Sequence, residues 1–148
     1  MNEEVKRILI VDDSLKDIEL TIAALAENNL TNEVVVAEDG EEALDYLYKR
    51  GKFTTYGNGN PLIILLDIKM PKMDGLEVLK HIRCEPKFKS IPVIMVTSSR
   101  EEKDLAESYN LGANSYVVKS VDIVQFISAI KTLGQYWIVV NQPPPACM

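Results

Sequence analysis

Short apolar runs alternate with amphipathic segments along the whole chain. "RILIV" (Arg7–Val11), "EVVVA" (Glu33–Ala37), "LIILLD" (Leu62–Asp67), "PVIMVT" (Pro92–Thr97) and "SYVVK" (Ser115–Lys119) are rich in β-branched side chains and predict strands. Between them, apolar residues recur at helical spacing. Ser14 can cap a first helix that carries Leu15, Ile18, Thr21 or Ile22 and Leu25 on one face. Gly40 to Arg50 predicts a second, with Ala43, Leu44, Leu47 and Tyr48 inward. Gly75 to Cys84 predicts a third, with Leu76, Val78, Leu79 and Ile82. Glu101 to Asn110 is a polar fourth, ended by the Gly112 region. Val121 to Gly134 is the fifth, with Ile123, Phe126, Ile127 and Ile130. "GKFTTYGNGNP" (Gly51 to Pro61) reads as a plain surface loop. Its "GNGN" precedes a strand instead of joining a strand to a helix, so it is no phosphate loop.

Strict strand–helix alternation predicts a parallel sheet with helices on both faces. Continuously apolar strands fit a sheet covered on both sides. Ligands of such sheets bind outside the carboxyl ends of the strands. At 148 residues, nearly half of them apolar, the chain is one domain with a real core. The domain is expected over 1–140, with a Pro-rich tail over 141–148. The net charge of -6 argues against a nucleic-acid surface and suits a cation. No run of about 18 apolar residues is evident, so no membrane span is expected. "MNEEVKR" lacks a signal peptide's apolar stretch, which leaves a cytoplasmic location. Cys84 is expected to be a small buried hydrophobe and Cys147 a tail thiol. His81, between Lys80 and Ile82 on the third helix, reads as a surface residue.

The strand ends carry the chemistry. The first strand delivers Asp12 and Asp13, the third Asp67, the fourth Thr97 and the fifth Lys119. In a parallel sheet these ends share one edge. Clustered carboxylates repel and need compensation. A hard divalent cation with oxygen ligands supplies it, and Mg²⁺ commonly pairs with phosphate. Lys119 adds a second positive charge and Thr97 a hydroxyl donor. An aspartate held ionised between them is a nucleophile toward phosphorus.

The pieces "ILIVDDS", "LLDIKMPKMDG", "PVIMVTSS" and "GANSYVVKS" resemble, in order, the receiver domain of two-component response regulators. The resemblance implies a flavodoxin-like three-layer α/β/α sandwich with five helices and strand order 2-1-3-4-5. It implies that Asp67 accepts a phosphoryl group from a histidine kinase and that the protein is a signalling switch, not a turnover enzyme. Asp13 and Asp67 would ligate Mg²⁺ or Mn²⁺, with Asp12 partly through water and the backbone carbonyl of Lys69 as a further ligand. Thr97 and Lys119 would contact the phosphoryl oxygens. Thr97 and Tyr116 would form the switch, and Lys69 and Ser99 would flank the phosphoryl group. The family usually has proline after the lysine, and this chain has Ser120. A cis bond there would cost about 2.5–4 kcal/mol, so either a trans bond with a shifted loop or a strained cis bond is expected.

More narrowly, "NNLTNEVVVAEDGEEALDYLYKRG" and "LGQYWIVVNQPPP" look like the small response regulators of bacterial and cyanobacterial phytochromes. That likeness implies a phytochrome-type, light-regulated kinase as partner. The chain ends soon after its last helix, so output is expected through protein contacts. Tyr136, Trp137 and Ile138, followed by two valines, extend an apolar run beyond the last helix. Trp and Tyr are favoured interface anchors. A homodimer through Phe126, Ile130, Tyr136, Trp137 and Ile138 is expected. "PPP" (Pro143 to Pro145) predicts a stiff, extended tail. Two other classes compete. A dehalogenase-type phosphohydrolase would need an acid where Lys69 stands. A flavodoxin-like FMN binder would need hydroxyls where "DDS" stands.

Overall fold

The computed structural model describes residues 6–27, 32–57, 59–119, 122–142 and 145. Its strands are β1 (Arg7–Val11), β2 (Glu33–Ala37), β3 (Ile63–Leu66), β4 (Val93–Thr97) and β5 (Ser115–Val118). They form one parallel sheet in the order β2-β1-β3-β4-β5, as expected. The helices are α1 (Leu15–Ala26), α2 (Gly40–Tyr48), α3 (Gly75–Cys84), α4 (Glu102–Asn110) and α5 (Ile123–Gly134).

Successive strand side chains point to opposite faces. Ile8 and Ile10 therefore join Ile63, Leu65 and Ile94 under α1 and α5, which contribute Ile18, Leu25, Phe126 and Ile130. Leu9 and Val11 join Ile64 and Leu66 on the other face, under Leu44 and Leu47 of α2 and Val78, Leu79 and Ile82 of α3. Every residue of β3 and β4 is buried, which is why those strands read as unbroken apolar runs. Ser14, Asp39, Asp74 and Asp122 each accept a backbone N–H at the start of a helix, worth about 1 kcal/mol apiece.

Several expectations are corrected. The inward face of α1 is Ile18, Thr21, Ala24 and Leu25, and Leu15 and Ile22 are exposed. On α5 the inward face is Phe126, Ile130 and Leu133, and Ile123 is exposed. Leu15 and Ile123 are the first residues of their helices, ahead of the turns that lie over the sheet. Phe126 and Ile130, expected at a dimer interface, are 3% and 0% exposed within this chain's own core. Cys84 is exposed instead of buried. The loop after α2 is not plain surface. It opens with a 3₁₀ turn (Gly51–Phe53), and buried Phe53 meets Tyr46 and Tyr56 edge-to-face with ring centroids 5.5 and 5.8 Å away. Such pairs add about 0.5–1.5 kcal/mol beyond burial.

The last helix continues into a wider π-helical turn (Gln135–Val140). Trp137 and Ile138 pack partly against the α1/α5 side of the core, whereas Tyr136, Val139 and Val140 are exposed. Ile123–Val140 is one continuous helical stretch of 18 residues. It is long and apolar enough to cross a membrane by length and composition alone. Its Phe126, Ile130 and Leu133 pack onto the sheet.

Candidate functional site

The sheet's hydrogen-bond ladder runs one residue past the strands and fixes the main chain of the strand-end residues. Asp12 N donates to Ala37 O (3.1 Å), Asp67 N to Val11 O (2.9 Å) and Lys119 N to Thr97 O (2.7 Å). The backbone of each therefore inherits the register of the core. Gly75 seals the turn behind Asp67. Its N–H donates to Ile68 O at 2.8 Å, and a Cβ there would collide with Asp67 O.

The side chains converge as the strand-end reading expects. Carboxylate oxygens of Asp12, Asp13 and Asp67 lie within 4.8 Å of one another. Asp12 and Asp67 are buried, and Asp13 is exposed. Lys119 Nζ donates to Asp12 Oδ2 (2.8 Å), Asp17 Oδ2 (2.9 Å) and Asp67 Oδ2 (3.1 Å). Asp67 Oδ1 accepts the N–H of Ile68 at 2.8 Å, and Asp12 Oδ1 accepts that of Ser14 at 2.9 Å.

The electrostatics follow from burial. Burial pushes the Asp12 carboxyl above its ordinary value. The bonds from Lys119 and Ser14 oppose that rise, and the charge of Asp67 adds to it. For Lys119, burial favours the neutral amine. The bonds to Asp12 and Asp17 and the charge of Asp67 outweigh burial and hold the ammonium charged, well above its ordinary range. An oxygen-only donor set with surplus negative charge is what a hard divalent cation requires, and these three aspartates fit one.

The remaining candidates lie on the β4 and β5 side. Thr97 is fully buried, and its Oγ1 accepts the N–H of Ser99 at 3.3 Å. Tyr116 is half-buried, and its hydroxyl donates to Ser99 O at 3.0 Å. Ser99 thus touches both residues of the expected switch. Its hydroxyl donates to the buried carboxylate of Asp104. The Lys69 ammonium reaches that carboxylate at 3.7 Å. Ser120, with the peptide bond expected after Lys119, and Cys147 lie outside the described residues. His81 is exposed, as expected, with Nε2 3.1 Å from the Tyr48 hydroxyl.

Two acids escaped the strand-end reading because they sit on helices. Asp17 lies in the first turn of α1, and Asp104 in that of α4. A usable signal existed for Asp17. "SLKD" places an acid three residues after a capping serine, at the same edge of the sheet.

Residues 8–131 match the family model of the response regulator receiver domain. The response regulator Rcp1 of Synechocystis sp. is 33% identical over 141 residues, covering 95% of each chain. The structure of its Mn²⁺-bound form superposes with a TM-score of 0.88 over 95% of this chain and 99% of that one. The phosphorylated cyanobacterial phytochrome response regulator RcpA is 37% identical, with a TM-score of 0.88 over 95% and 99% of the two chains. The bacteriophytochrome response regulator RtBRR is 52% identical, with a TM-score of 0.76 over 95% and 85%. Sequence, fold and strand-end geometry agree, and the chain belongs to the response regulator receiver domain family, with phytochrome response regulators among its relatives.

Proposed function

We propose that this receiver accepts a phosphoryl group on Asp67 from a phytochrome-type histidine kinase. The carrying observation is the Asp67 carboxylate, bonded to Lys119 and clustered with Asp12 and Asp13. The kinase class is supported by the likeness to RcpA and RtBRR, which are phytochrome response regulators. An Asp67 oxygen bonds to phosphorus as the bond from phosphorus to the donor's histidine nitrogen breaks. Lys119 supplies an N–H to the oxygens of the transferring group, where charge develops. Asp12, Asp13 and Asp67, with the Lys69 carbonyl, would hold Mg²⁺ or Mn²⁺, which when bound neutralises the carboxylates and the incoming phosphate.

The phosphoryl group then draws the Thr97 hydroxyl from Ser99, and Tyr116 turns inward from the same residue. Only differential contacts in the two states can move that equilibrium. The protein is a switch that acts in the cytoplasm through protein contacts, not a turnover enzyme. Its homodimer uses the outer side of α5 and its extension, where Val124, Tyr136, Val139 and Val140 are exposed.

Incubation with Mg²⁺ and acetyl phosphate, followed by intact-mass measurement, tests the central step. The wild type gains one phosphoryl group, Asp67→Asn gains none, and Lys119→Ala gains less. Undiminished labelling of Asp67→Asn refutes the assignment. Sedimentation tests assembly, and a monomer at micromolar concentration, with and without phosphodonor, refutes the dimer.

A further inference from the structure

An acid at the third position of a helix normally serves the helix itself. In a capping box its side chain reaches back to the N–H of the capping residue. Asp17 holds that position in α1, and Ser14 Oγ accepts the Asp17 N–H at 3.3 Å, which is the forward half of the box. The backward half is absent. Ser14 N donates instead to Asp12 Oδ1 at 2.9 Å. The Asp17 carboxylate is thereby released from capping and turns to Lys119, 102 positions away in sequence, at 2.9 Å.

A lysine ammonium has three N–H donors on a flexible four-carbon stem. Asp12 and Asp67, at the ends of adjacent strands β1 and β3, take two of them. Those acceptors leave the stem free to pivot about the line joining them. Asp17 approaches from the helix layer and supplies a third point. The Lys119 side chain is 9% exposed, and it is anchored from β1, β3 and α1 together.

We propose that Asp17 is a positioning residue for the phosphoacceptor site. It holds the Lys119 ammonium from the α1 side, so that the donor now given to Asp67 stays aimed at the group arriving there. This rests on the phosphoacceptor reading above. In the phosphorylated form the bonds to Asp12 and Asp17 persist, and the third N–H passes to a phosphoryl oxygen.

The test is a double-mutant cycle between Asp17 and Lys119, read by phosphoryl uptake from acetyl phosphate with saturating Mg²⁺. Asp17→Asn slows uptake about tenfold through misplacement of the lysine, and Asp17→Glu, which restores the charge, recovers most of the rate. In a Lys119→Ala background Asp17→Asn adds less than about a twofold change. Unchanged or faster uptake by Asp17→Asn overturns the proposal, as does an equal slowing in the Lys119→Ala background. A readout without donor separates this from the parent assignment. The side-chain ammonium of Lys119, followed by ¹⁵N NMR, exchanges its protons faster in Asp17→Asn than in the wild type. Equal exchange refutes the role of Asp17. If the wild type takes up no phosphoryl group, the phosphoacceptor reading fails, and the ammonium signal still decides whether Asp17 holds Lys119.

Discussion

The carboxyl edge of the sheet and the outer side of the last helix present opposite problems. At the edge, Asp12, Asp17 and Asp67 crowd one ammonium in a partly buried pocket. On α5 and its extension, Val124, Tyr136, Val139 and Val140 face outward, and no described residue covers them. Charge inside and apolar surface outside are both costly. The first cost is met largely within the molecule, by Lys119 and backbone N–H groups, and the remainder calls for a cation. The second is not met among the described residues. On the proposed reading the first is an input site that holds its chemistry ready between events, and the second is an output face that stays available to a partner.

The largest expected effect separates the two sides of α5. Ile130→Ala empties a fully buried position and should cost about 2–5 kcal/mol in urea unfolding. Lys119→Met leaves Asp12 and Asp67 without their shared counter-charge. Without a divalent cation it should cost about 3 kcal/mol, and Mg²⁺ should restore part of the loss. An Mg²⁺ response no greater than that of the wild type would contradict the idea that lysine and cation share one task. In the wild type, Mg²⁺ at about a hundred times its dissociation constant should stabilise by about 2.7 kcal/mol, seen as a higher Tm than in EDTA. The smallest effect is on the outer side. Tyr136→Ser and Val140→Ser should change stability by less than about 0.5 kcal/mol while weakening self-association in sedimentation. A large stability loss in these variants would mean that the face is covered by its own chain.

The sequence and the structure agree best where backbone and burial decide together. Arg7–Val11 and Glu33–Ala37 are strands over the predicted spans, because an apolar β-branched run has few other uses. The strand-end residues were legible because a parallel sheet converts chain order into position. Phase on a helix was not. The same spacing that includes Ile18 and Leu25 also includes Leu15, and only the packed neighbours reveal which turn overlies the sheet. Asp17 and Asp104 were hidden for a related reason, since acids in a first helical turn usually serve the helix. Phe53 and Tyr56 were hidden by their glycine-rich context, although their rings build part of the core.

Gly75 brings α3 into close contact with the Asp67 peptide. The absent side chain lets α3 begin directly on the Asp67 carbonyl. The far end of α3 is tied as firmly, because Arg83 donates to the carbonyls of Gly112, Lys89 and Ile91 and to Asn114 Oδ1. The pocket is thus braced on its α3 side at both ends of the helix. On the proposed reading, a change at Asp67 is resisted on the α3 side and passes toward Thr97, Ser99 and Tyr116, where Ser99 is hydrogen-bonded to both of the others. On that reading the α3 side is the clamped fulcrum of a lever, held close because Gly75 carries no side chain.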